Sequence, residues 1–157
     1  MLTSQQIDML EKLPDLLKRK IGELDDINVG YSYAHRFFFK CIIPRYMENE
    51  ERYQAEFRNK TNLGKDVFHE LRGGRKETLL KREATLLKVA FGLGVSYEEA
   101  FLLFWFSGKN LLTDDPIMGG INSILLELDK DSTKSLEPSM RLALLGDLME
   151  KEGINLK

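Results

Sequence analysis

Three side chains that donate hydrogen bonds recur at helical spacing near the middle of the chain. Lys65, His69 and Arg72 occupy positions i, i+4 and i+7 of one segment. Residues at this spacing lie on one face of an α-helix. Lysine and arginine neutralise phosphates or read guanine edges, so this face has the chemistry of a nucleic-acid contact. The pattern predicts a helix over 63–72 that presents the three residues to a DNA major groove.

The charge around this face is locally positive. Residues 58–88 contain nine lysines and arginines against four aspartates and glutamates, whereas the rest of the chain has 14 against 21. The overall charge of −2 excludes a basic protein that coats nucleic acid, but one basic segment is typical of a single binding face. Asp66 and Glu70 lie beside the basic row and would repel phosphates. The predicted DNA-binding residues are Asn62, Lys65, His69, Arg72, Arg75, Lys76, Lys81 and Arg82.

Other groups in the chain lack the arrangement that catalysis or metal binding needs. Residues 129–133 have the spacing of a phosphotransfer aspartate loop, but they follow helical periodicity instead of a strand. Cys41 and His35 lie six residues apart on one predicted helix and do not face each other. One cysteine and two histidines exclude a disulfide framework and a four-cysteine zinc site. We therefore predict that the protein is not an enzyme and holds no metal or cofactor.

The elements that must position the basic face are all predicted to be helices. Apolar residues recur every three or four positions, and no period-two alternation persists beyond a few residues. Thr3 with Gln6 and Ser96 with Glu99 form capping boxes that predict two helix starts, and Pro116 predicts a third. The sequence predicts an all-α, compact multi-helix bundle of about seven helices that contains a helix-turn-helix.

The first predicted helix carries a single apolar stripe. Its members are Ile7, Leu10, Leu13, Leu17, Ile21 and Leu24. Pro14 lacks an amide hydrogen and is expected to kink or split this helix. Two interpretations of the stripe stay open, because a dimerisation arm and a helix packed on its own domain show the same pattern.

Three further features of the sequence divide the rest of the chain into predicted elements. A turn is expected at 60–62 before the recognition helix, an apolar stripe begins at Ile117, and a polar loop is expected at 129–135. Residues 1–29 are predicted to form an N-terminal helical arm, 30–130 the core domain with the helix-turn-helix, and 131–157 a C-terminal helix.

The segment RNKTNLGKDVFHELRGG, followed by ATLLKVAFGLGVSYEEAFLLFWFSG, resembles the Xre-type, phage-repressor-like helix-turn-helix proteins. Within that group it is most similar to small bacterial helical proteins, through residues 68–72, 85–95, 98–108 and 114–128. The resemblance implies a DNA-binding regulator of phage or mobile-element type. It also implies that Lys65, His69 and Arg72 face the groove.

These observations predict a sequence-specific, transcriptional-regulator-like protein that binds double-stranded DNA in the cytoplasm. A homodimer through the terminal helices would read two half-sites. The alternative is a protein-interaction module on a helix-turn-helix scaffold, either an adaptor or a phage-encoded inhibitor that competes by charge for a host nuclease. The sequence shows neither a secretory signal pattern nor an apolar run of roughly 20 residues. We therefore predict neither export nor a membrane span.

Overall fold

The protein folds as a bundle of helices. The computed structural model describes residues 1–25, 32–48, 52–64, 66–69 and 82–155, and in these residues no strand occurs, which confirms the predicted all-α fold. In chain order the helices are α1 (Ser4–Leu24), α2 (Tyr33–Phe37), α3 (Ile43–Tyr46), α4 (Tyr53–Thr61), α5 (Glu83–Leu93), α6 (Tyr97–Phe106), α7 (Pro116–Leu126), α8 (Asp131–Lys134) and α9 (Pro138–Lys151). A π-helical turn joins α2 to α3, and residues 66–69 form a further helical turn. None of the helices in these ranges is both long and apolar enough to cross a lipid bilayer.

The first helix is continuous through its proline. The predicted capping box forms, with Thr3 as the N-cap and Gln6 returning its hydrogen bond, and the helix runs to Leu24 without a break at Pro14. The prediction that Pro14 could split the helix is therefore wrong. A proline removes one backbone hydrogen bond, and the bonds of the neighbouring turns together with the buried face of α1 hold the helix across that position.

The face that α1 buries differs from the predicted stripe. The buried row consists of Gln6, Met9, Leu13, Leu16 and Leu24. Ile7 and Leu10 are 44% and 48% exposed, whereas Leu13 and Leu24 are buried, so the rest of the chain covers only part of the predicted stripe. The Gln6 amide donates to the Leu111 carbonyl at 2.9 Å, and this bond, together with the buried apolar row, joins this side of α1 to the body of the bundle. The apolar part of the α1 surface is wider than the surface on which the helix packs. One row of apolar residues is therefore buried, and the row next to it remains largely exposed.

The helices around α5 supply most of the core. The apolar spacing within 84–93 predicts that Leu86, Leu87, Ala90, Phe91 and Leu93 form an inner face, and all five are buried. Thr85, Val89 and Gly92 are buried as well. A helix that is buried over most of its surface belongs near the middle of a bundle, and α5, of which Lys88 remains exposed, packs against α4, α6 and α9.

The apolar spacing of Ala34, Phe37, Phe38, Cys41 and Ile42 predicts one helical face, and all of these residues are buried except Cys41, which is half-buried. The helical segment ends at Tyr46, two residues after Pro44.

Two boundaries in the C-terminal half differ from the prediction. The expected polar loop at 129–135 is largely helical, because a 3-10 turn (Glu127–Asp129) and α8 occupy it. Thr133 within it is buried, so this segment packs onto the body instead of crossing solvent. Ile117 is 49% exposed although it was predicted to begin an inner stripe, because burial along α7 starts only at Gly120.

A buried arginine joins the last helix to the centre of the bundle. Arg141 of α9 is 8% exposed. Its Nε donates to the Phe91 carbonyl at 2.7 Å, its Nη2 to the Gly92 carbonyl at 3.0 Å, and its Nη1 to the Leu136 carbonyl. The first two carbonyls lie at the C-terminal end of α5, where backbone oxygens lack helical partners and the helix dipole is negative. Burial lowers the pKa of Arg141, yet a guanidinium stays charged in proteins.

Replacing Arg141 with methionine is expected to lower the free energy of unfolding by about 3 kcal/mol, because buried carbonyl oxygens lose charged donors. Urea unfolding followed by circular dichroism measures the change. Lys151→Met, an exposed position of the same helix, is the matched control and should change stability by less than about 0.5 kcal/mol. Equal losses in the two variants would show that Arg141 does not hold α9 in place.

Candidate nucleic-acid interface

A sharp turn follows α4, close to the position at which the sequence predicts the turn of a helix-turn-helix. α4 continues through Thr61, and Asn62 adopts the left-handed conformation with φ 58°. The turn therefore occupies 62–64 and not 60–62 as predicted. The Thr61 hydroxyl donates to the Phe57 carbonyl at 2.6 Å and accepts from the Leu63 amide at 3.3 Å. Asparagine tolerates positive φ better than most side chains, so the residue type fits the place where the chain reverses.

The second helix of the motif begins later than predicted. Residues 66–69 are helical, whereas Leu63 and Gly64 belong to the turn. The Gly64 carbonyl accepts from the Val67 amide at 3.2 Å and from the Phe68 amide at 3.4 Å. The predicted start at Leu63 is wrong because the left-handed residue before it ends α4 and leaves Leu63 outside any helix. Asn62 caps the first helix and does not open the second.

The inner side of this second helical turn is fixed by aromatic packing. Phe68 is 1% exposed, and its ring centre lies 5.2 Å from that of Phe57. Phe57 in turn meets Phe38 edge to face at 6.1 Å. Leu63 and Val67 are half-buried against the same core. The sequence predicts that Leu63, Val67, Phe68 and Leu71 form the inner face of this segment, and the first three, which the structure describes, do face inward. Aromatic pairs of this geometry add stability beyond their buried area.

The opposite side of the segment is exposed to solvent. Asn62 and His69 are both exposed, and Asp66 lies exposed between them. Arg82, the residue before α5, is also exposed. The remaining predicted site residues lie outside the described residues: Lys65, Arg72, Arg75, Lys76 and Lys81. Asn62 and His69 are thus exposed residues seven positions apart in the chain, and Arg82 precedes the helix that α4 packs against.

A glycine sets the distance between α4 and α5. A Cβ atom on Gly92 would lie 2.4 Å from the Lys60 carbonyl oxygen and 2.7 Å from the Thr61 Cα. Only glycine allows two helix backbones to approach this closely. The sequence pattern alone assigns no role to Gly92 or to Arg141. A single glycine inside an otherwise apolar helix is the signal for such a crossing.

A second polar cluster lies between α3 and the start of α6. The Tyr46 hydroxyl donates to Glu99 Oε1, the Ser96 amide donates to the same oxygen at 2.9 Å, and Arg45 Nη1 lies 3.5 Å from Oε2. Burial and the hydrogen bond to Glu99 raise the pKa of Tyr46. These contacts complete the predicted capping box at Ser96 and occupy both oxygens of the Glu99 carboxylate.

The same cluster lines a cleft of about 520 Å³ that also includes Cys41 and Lys20. Burial raises the pKa of the Cys41 thiol, which keeps the sulfur protonated and weakens it as a nucleophile. Among the residues whose placement is given, no group of three or more histidine, cysteine, aspartate or glutamate side chains converges as a metal site would require.

Comparison with known proteins gives no match. No protein-family model, curated protein or solved structure matches this chain. The resemblance to Xre-type helix-turn-helix proteins therefore stays a prediction carried by the residues between 57 and 128.

Gly92→Ala is expected to lower the free energy of unfolding by about 3 kcal/mol, because its methyl group collides with a backbone carbonyl that has no room to move. Gly146→Ala is the matched control. Gly146 also lies inside a helix, and its added methyl would meet nothing within 4 Å. This control should gain roughly 1 kcal/mol from helix propensity. Urea unfolding compares the two, and a stable Gly92→Ala variant would contradict the close crossing.

Proposed function

We propose that the chain is a sequence-specific DNA-binding protein of the transcriptional-regulator type, with 63–72 as its recognition segment. The observation that carries this proposal is the turn at Asn62, which joins α4 to a second helical turn with one buried and one exposed side. Phe68 holds one side of that turn in the core, while His69 lies on its exposed side. A helix-turn-helix presents its second helix to a major groove in this way.

The charges around the segment support the same proposal. Arg58, Arg82 and Lys88 are exposed positive residues of the basic segment. Glu83, one of the four acidic residues in that segment, forms an ion pair with Lys109 at 3.0 Å. Because Glu83 pairs with Lys109, which lies outside the basic segment, Glu83 offsets less of the positive charge of that segment. Exposed lysines and arginines bind phosphates by releasing counterions, which gives affinity that falls steeply with salt.

A dimer belongs to this proposal because one short helix reads only a few base pairs. Proteins with this motif place two recognition helices about one turn of DNA apart, on two half-sites. We propose double-stranded DNA and a second copy of the chain as the partners.

A protein-interaction module is the second candidate, and one observation favours it. Asp66 is exposed on the side of the segment that would meet DNA, where its carboxylate repels phosphates. The same carboxylate suits a basic protein surface, as does the acidic remainder of the chain with its 14 basic and 21 acidic residues. An adaptor or an inhibitor of a nuclease would use this face to occupy a positively charged channel.

The double variant Lys65→Ala/Arg72→Ala tests the first candidate. Fluorescence polarisation with a pool of random-sequence duplexes should show at least tenfold weaker binding, and the salt slope should fall by about 2. Lys12→Ala/Lys151→Ala removes the same charge from exposed positions of α1 and α9 and should bind within about twofold of the unaltered protein. Repeated selection from the pool should enrich one duplex sequence.

Three outcomes separate the candidates. Equal weakening by both double variants would show that binding is general charge attraction, and would contradict a binding face at 63–72. Absence of binding at low salt would remove the DNA-binding proposal. A single basic protein recovered in a stoichiometric complex, with its binding lost in Asp66→Asn, would establish the second candidate instead.

A further inference from the structure

α1 carries a second apolar row that the described part of the chain covers only in part. This outer row consists of Ile7, Leu10, Pro14, Leu17 and Ile21. Its spacing alternates between three and four residues, the repeat at which two helices pack along a seam. Ile7, Leu10 and Pro14 are exposed, and Leu17 and Ile21 are half-buried. Isolated apolar residues on a surface need no explanation, but a continuous row on one helix marks an interaction surface.

Two exposed residues of opposite charge border the outer row. Glu11 and Lys18 lie two helical turns apart on the side of the row away from the core. Seven residues span about 10.5 Å along a helix axis, which is too far for the two to pair with each other. Neither takes part in an ion pair with any residue that the structure describes. Both charges are therefore available to a neighbour.

We propose that the outer row is the contact between two copies of the chain, with their α1 helices packed antiparallel. Leu10 then packs on Ile21 of the second copy, and Pro14 packs on Leu17 of the second copy. In this register Glu11 meets Lys18 of the second copy, and the two-fold axis repeats the pair. An interface between identical copies needs a surface complementary to itself, and this charge pattern supplies one.

The charges also exclude the neighbouring register. Sliding the helices by one heptad places Leu10 on Pro14 of the second copy and brings Glu11 against Glu11. Like charges at flanking positions destabilise a helix pair, whereas opposite charges fix its register. A partner of another kind would not require this self-complementary pattern, so a second copy is the occupant that the surface fits.

This inference rests on the dimer in the proposed function and assigns it a surface and a register. Sedimentation equilibrium without DNA tests it on the full chain. The unaltered protein should show a concentration-dependent mixture of monomer and dimer, and Leu10→Asp should be monomeric. Leu10 is 48% exposed, so this variant should keep its fold, which circular dichroism verifies.

Charge exchange tests the register. Glu11→Lys and Lys18→Glu should each weaken the dimer at least about tenfold. The double exchange Glu11→Lys/Lys18→Glu should restore dimerisation, a rescue that a merely structural role for either residue would not produce. Asp8→Lys makes the same charge change as Glu11→Lys at an exposed position away from the row and should have no effect.

The outcomes are distinguishable from those of the DNA-binding test. A protein that stays monomeric at high concentration would overturn the interface, and so would a dimer that Leu10→Asp leaves intact. A dimer that the charge exchanges do not affect would overturn the register. Lys65→Ala/Arg72→Ala should remain dimeric, so a failure to bind DNA leaves the interface standing, and a monomer that binds DNA leaves the DNA-binding proposal standing.

Discussion

The packing of the bundle depends on the C-terminal end of α5. There the buried guanidinium of Arg141 binds backbone carbonyls, and Gly92, which has no side chain, lets α4 approach. Arg141 gives its hydrogen bonds to backbone carbonyls, two of which end α5. A buried cation is tolerated only when its donors are satisfied, so α9 has one favourable position. At the same place Gly92 admits the backbone of α4 at a distance that any side chain would prevent. One helix end therefore positions both of its neighbours.

The candidate interface depends on this arrangement because it begins where α4 ends. Once α4 is held against α5, the turn at Asn62 directs the chain outward, and the packing of Phe68 on Phe57 orients the next helical turn. Its outer side then faces solvent with His69 and Asp66. The two proposed functions use the same geometry and differ in whether the partner binds the lysines and arginines of the basic segment or the Asp66 carboxylate. The outer row of α1 is separate from this segment in sequence and adds a means of joining two copies.

Local signals in the sequence predict most of the helices, whereas distant contacts determine which faces they bury. The capping boxes and the apolar periodicity each depend on residues that lie close together in the chain. The structure confirms both capping boxes and the all-α class. The buried side of α1 is joined to the body by contacts that include the bond from Gln6 to Leu111, more than 100 residues away, so the exposure of Ile7 could not be predicted. The start of the second helix at the candidate site was misplaced because a left-handed asparagine resembles a helix-capping asparagine in sequence. Arg141 was missed because a polar residue on a helix is usually exposed.

Amide chemical shifts of the ¹⁵N-labelled protein, titrated at low salt with a duplex from the enriched pool, locate the contact surface. If 63–72 reads DNA, the largest changes will fall on Leu63, Val67 and His69 and on Arg82, while the amides of Lys12 and Lys151, at exposed positions away from both proposed contact surfaces, stay unchanged. Changes spread evenly over the basic and acidic surfaces, or confined to helices away from the turn at Asn62, would contradict a recognition helix at this position.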